Sequence, residues 1–140
     1  MSRLLSAVAI VAAVSGISLS AAPKTTEPAS IILNVPSPTV APAWTPRLGD
    51  VVTFTVSYPK TLDHFGVRIQ VLCYQDGNLV YGEAGPYSQE FLLGGAMSTW
   101  YLNDGAADCH ADLYYWSYNG GQKFNPLATV GFSALSRSGN

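Results

Sequence analysis

From residue 48 onward the chain is a succession of short apolar runs separated by turn residues. Residues 51–58 alternate, with Val52, Phe54, Val56 and Tyr58 in one phase and Val51, Thr53, Thr55 and Ser57 in the other. A period of two is that of a half-buried strand. Pro59 ends the run. Residues 66–74 alternate again, Val67, Ile69, Val71 and Cys73 facing one way and Arg68, Gln70, Leu72 and Tyr74 the other. Asp76-Gly77 then supplies the positive φ angles of a tight hairpin, and residues 79–83 read as the return strand. Shorter strands are predicted at 89–93 and 98–102 around Gly94-Gly95. After a turn at Asn103-Asp104-Gly105 the longest strand runs over 108–118. Asn119-Gly120-Gly121 turns the chain into a last strand at 127–135. Strands at this spacing, with a turn at nearly every joint, predict a sandwich or small barrel, because a single sheet would leave its apolar face wet.

Upstream the pattern differs. Six of the nine prolines fall between Pro23 and Pro46, which excludes helix there and leaves an extended linker with one short strand at 31–35. Before that, Arg3 is the only charge ahead of Lys24, and residues 4–19 are apolar or small throughout. Ser18, Ser20, Ala21 and Ala22 are suited to signal-peptidase cleavage. The apolar span of 16 residues is short of the ~20 that a permanent membrane helix needs. The expected organisation is therefore a signal peptide (or an uncleaved N-terminal arm) at 1–22 and a proline-rich linker at 23–47. An all-β, immunoglobulin-like antiparallel sandwich of seven or eight strands with one disulfide occupies 48–136, and a tail 137–140. With the leader cleaved, the protein is not an integral membrane protein.

Composition narrows the function. Charged residues make up 11% of the chain, well under the ~25% of an average soluble protein, while 48% is hydrophobic, enough for a core. Nine acids face seven bases, and the bases are scattered with no stripe to follow a phosphate backbone, so nucleic acid is not an expected partner.

Cys73 and Cys109 sit in the apolar phase of their strands beside Val71 and Ala111. In an exported chain, two such cysteines read as one buried disulfide. Around them, Leu72-Cys73-Tyr74-Gln75-Asp76-Gly77 and 107–116 (ADCHADLYYW) resemble small immunoglobulin-like proteins of actinobacteria and their phages. The resemblance covers residues 48–135 and implies a fold and an exported or particle-surface setting. The chain departs from antibody-type domains: its first cysteine stands where those carry a tryptophan, and no tyrosine precedes Cys109 by two residues. A bridge between these two strands joins neighbours within one sheet and does not cross the core.

Chemistry-bearing residues are few. Asp63-His64 lies in a loop, and no GxSxG elbow, GxGxxG, phosphate loop or calcium loop is present. No catalytic residues and no cofactor are expected. His110 and Asp112 share a strand face and are weak metal candidates, with His64 a third, although zinc takes three or four ligands. The main signal is aromatic: Leu72 and Tyr74 on one strand and Tyr114, Trp116 and Tyr118 on the other lie in the outward phase and form the candidate binding face. Cover by the proline-rich segment, with Trp44 packed on Tyr114 and Trp116, is the competing reading. The expected function is a non-catalytic, secreted or extracytoplasmic module that binds a protein or glycan surface. The alternatives are a phage virion decoration protein held by its N-terminal arm, and a small hydrolase centred on His64, His110 and Asp112.

Overall fold

The computed structural model describes residues 27–36 and 44–138. The leader and the middle of the proline-rich segment lie outside these described residues. Eight strands follow in order among them: β1 (Ser30–Leu33), β2 (Val51–Val52), β3 (Phe54–Ser57), β4 (Arg68–Gln75), β5 (Asn78–Pro86), β6 (Phe91–Leu92), β7 (Ala107–Ser117) and β8 (Lys123–Ala134). A 3-10 helix spans Lys60–Phe65, and a short helix α1 spans Thr99–Asn103.

One layer is a four-stranded antiparallel sheet in the order β5-β4-β7-β8. Facing it are two antiparallel pairs, β1 with β3 and β2 with β6. The strand expected over 51–58 breaks at Thr53, so that its halves pair with different partners. The core lies between the layers. Val52, Phe54 and Phe91 meet Ile69, Val71, Leu113 and Ala111 there, and Phe54 lies 5.9 Å from Phe91 and 6.3 Å from Phe132. This arrangement is an immunoglobulin-like sandwich. The strand within the proline-rich segment belongs to it: β1 pairs residue for residue with β3, and Ile31 joins the core.

Segment 46–50 ties the layers together. Arg47 bridges Leu135 in parallel, Leu135 N donates to the Pro46 carbonyl at 2.8 Å, and Gly49 N donates to the Leu93 carbonyl at 2.9 Å. The turn at Asp76-Gly77 has φ of 49° and 80°, the left-handed pair expected of a two-residue hairpin.

Cys73 and Cys109 are bonded and stand directly opposite each other on β4 and β7, with Cα atoms 4.0 Å apart. The bridge therefore joins neighbours in one sheet. Both sulfurs sit in the inward phase with Ile69, Val71, Ala111 and Leu113.

Several elements differ from the pattern reading. Residues 98–102 are not a strand: Ser98 caps α1, its Oγ accepting from Tyr101 N at 3.0 Å. A serine N-cap decides the conformation of a run too short for its periodicity to do so. Trp100 anchors the helix, fully buried, and its indole N–H donates to the Gly105 carbonyl at 2.8 Å. β7 stops at Ser117, so Tyr118 lies past the strand. β8 starts at Lys123 instead of 127, because β7 is long enough to pair back to Ser117. Pro126 is accommodated because β8 is an edge strand and bulges there, Leu113 pairing with Ala128 and Tyr114 with Pro126. At the opposite edge, the inward-phase Glu83 of β5 accepts from the Tyr81 hydroxyl at 2.6 Å and from Gln89 Nε2 at 2.7 Å. Burial first, and the Glu83 carboxylate second, push the Tyr81 phenol above its ordinary range. A charge aimed inward on an edge strand discourages edge-to-edge pairing.

Candidate binding face

The strand phases that bury one side of the four-stranded sheet present the other side outward. On β4 the outward positions are Arg68, Gln70, Leu72 and Tyr74, and on β7 they run from Asp108 through His110, Asp112 and Tyr114 to Trp116. The register sets Leu72 opposite His110, Gln70 opposite Asp112 and Arg68 opposite Tyr114. The two strands expected to share a face therefore do. The elements packed on this sheet approach from the core side: Phe65 of the 3-10 helix stacks on the inward Tyr115 at 4.9 Å, and Trp100 of α1 lies 6.4 Å from the inward Tyr81.

The face has three zones. At one end Tyr114, Trp116 and Phe124 form an aromatic cluster, with centroids 4.7 Å apart for Tyr114–Phe124, 5.5 Å for Trp116–Phe124 and 6.1 Å for Tyr114–Trp116. Trp116 and Phe124 are direct cross-strand partners, which is why the rings meet. In the middle, His110 Nε2 lies 3.4 Å from Asp112 Oδ2, while Asp112 Oδ1 accepts from the Thr129 hydroxyl at 2.7 Å. At the other end the Tyr74 ring stacks parallel to His110, centroids 5.7 Å apart, and Ser133 Oγ donates to Asp108 at 3.4 Å. Gly82 lies beside Leu72 and Gly131 beside His110, so no side chain rises there.

The five sequence-derived residues do not play equal parts. Leu72, Tyr74 and Trp116 are half-buried on the face. Tyr118 is 69% exposed, in the turn beyond β7. Tyr114 keeps only 4% of its surface, so it supports its neighbours and offers a partner almost nothing. Among the described residues, the rings of Trp116 and Phe124 in the β7–β8 hairpin pack beside it. Trp44 packs against the core, and the residues next to it attach at Leu135, the end of β8 remote from Phe124. Phe124 lies ahead of Pro126, outside the last strand that the pattern predicts at 127–135. Counting outward from the Asn119-Gly120-Gly121 turn brings it opposite Trp116.

The metal candidates are not assembled. His64 lies against Phe65, 3.9 Å between centroids, and Phe65 leads to the inward face through Tyr115. His110 and Asp112 point outward. Among the described residues no group of three histidines, cysteines or acids is placed to hold a metal ion. What the face offers is ring stacking, apolar contact and paired polar groups in its centre. No protein-family model, curated protein or solved structure matches this chain.

Proposed function

We propose that the protein is an exported, non-catalytic module that binds a protein or glycan surface through the outer face of its four-stranded sheet. The observation that carries this reading is an aromatic and polar sheet face that no described element crosses, while the opposite face is filled by the core. Aromatic side chains give large contact area with few rotors to immobilise and retain a polar handle. They also stack on sugar rings, and the hydroxyl and carboxylate groups of Thr129 and Asp112 lie alongside to receive hydrogen bonds. The buried disulfide fits an oxidising compartment. Among the described residues no helix is long and apolar enough to cross a membrane.

The test is direct binding of the fluorescently labelled protein to cell-envelope material from the producing organism. Material treated with protease is compared with material treated with periodate. Saturable binding abolished by one treatment and kept after the other identifies the partner's class. Absence of saturable binding to either contradicts the proposal.

A further inference from the structure

Three steps in the chain join an Asp or Asn to glycine: Asp76-Gly77, Asp104-Gly105 and Asn119-Gly120. The first two are locked. Asp76 and Gly77 hold the left-handed pair of a tight hairpin. Asp104 sits at φ 56°, its Oδ1 accepts from Arg137 N at 2.8 Å, and the Gly105 carbonyl accepts from Trp100. Their side chains are also carboxylates, which are poor electrophiles.

Asn119 differs on every count. It lies exposed in the turn between β7 and β8, it is not in the left-handed region, and no hydrogen bond holds its carboxamide among the described residues. Two glycines follow, at φ 77° and 130°, and a Cβ built on either meets nothing within 4 Å. The space on the Cβ side of both glycines is therefore open, and neither carries a side chain to restrict the backbone beside Asn119.

We propose that Asn119 is a site of spontaneous deamidation, in which the Gly120 peptide nitrogen attacks the Asn119 side-chain carbonyl. Hydroxide removes the Gly120 amide proton, the nitrogen forms a bond to Cγ, and the Cγ–Nδ2 bond breaks. Ammonia leaves, taking its proton from water, and a succinimide remains. Water then adds to either ring carbonyl. Opening at Cγ gives aspartate, and opening at the main-chain carbonyl gives isoaspartate with one extra backbone carbon in the turn. The net reaction consumes one water and releases ammonium. Either product adds one negative charge next to Tyr118, taking the formal net charge from −2 to −3. The chain thus acquires, with age, a second charge form altered at the aromatic end of the sheet face.

The experiment incubates the folded, full chain at neutral and mildly alkaline pH and follows Asn119 by peptide mapping with fragmentation. The expected result is the mass gain of an amide nitrogen replaced by oxygen, localised to Asn119, in two chromatographically separate products. Its rate rises about tenfold per pH unit, as does the deprotonated fraction of a very weak acid. Asn119→Gln, whose longer side chain would close a six-membered ring, shows no gain over the same interval. The proposal is overturned if Asn119 stays intact in the folded chain while a peptide of residues 116–123 converts under the same conditions. It is equally overturned if Asn78 or Asn103 converts as fast.

Discussion

Replacing both Cys73 and Cys109 by alanine removes the disulfide cross-link between β4 and β7, and its cost follows from the sequence separation of 36 residues. Closing a loop of that length takes about 12.8 cal/mol/K of entropy from the unfolded chain, or about 3.8 kcal/mol at 25 °C. The folded state keeps its strand register, since the ladder on either side of the bridge runs unbroken from Arg68–Tyr114 to Tyr74–Asp108. The loss of two buried sulfur atoms adds a packing term of the same sign. The expected destabilisation is therefore about 4–5 kcal/mol. At roughly 4 °C per kcal/mol for a domain of this size, Tm falls by about 15–20 °C. Urea unfolding followed by tryptophan fluorescence measures it. The dependence on urea also steepens, because an unlinked unfolded chain exposes more surface. A loss of no more than about 1 kcal/mol, the size of an average substitution, with an unchanged slope, would show that the bridge does not constrain the unfolded chain.

Two further perturbations test the packing and the electrostatics. Gly94 has φ 66°, and a Cβ there would stand 2.1 Å from Leu48 Cδ1 and 3.2 Å from Trp100 Cε3, both side chains being buried. Gly94→Ala is expected to cost roughly 2–5 kcal/mol, the sum of left-handed backbone strain and overpacking. Gly49→Ala, at φ 96° with nothing within 4 Å, should show only the backbone part, roughly 1–2 kcal/mol, so equal losses in urea titration contradict the packing claim. The Asp104 carboxyl is held below its ordinary value of 3.8, first by the hydrogen bond from Arg137 N and then by that from Gly105 N. A folded-state pKa below the unfolded one gives stability that is present above the unfolded value and lost as pH falls through the folded value. The Tm advantage of the wild type over Asp104→Asn should therefore shrink as pH is lowered from 5 through the carboxylate range, and an advantage constant with pH contradicts this assignment.

Much of the site was legible because it depends on a period of two. The outward phase of Leu72, Tyr74 and Trp116, the inward phase of both cysteines, and the Asp76-Gly77 turn all follow from local sequence and all appear in the structure. What was not legible depends on partners distant in the chain. Tyr114 has the same phase as Trp116, but whether it is exposed is decided by Phe124 across the hairpin. The break at Thr53 follows from two different partners, β1 and β6, competing for one run of residues. Residues 98–102 read as a strand because β-prone Thr99, Trp100 and Tyr101 stand there, and only the Ser98 cap and the burial of Trp100 settle the segment as helix α1.

On the proposed function, a partner occupies the outer sheet face while the fold is held from the inner side. The most direct measurement takes the variant Leu72→Ser/Tyr74→Ala/Tyr118→Ala and reads urea stability and envelope binding on the same preparation. Leu72 and Tyr74 are half-buried on the outer face, and Tyr118 is exposed in the turn beyond β7. The expected outcome is a stability change of no more than about 1.5 kcal/mol for the three together and at least a tenfold loss of binding, about 1.4 kcal/mol. Binding that survives unchanged in a folded variant would contradict it.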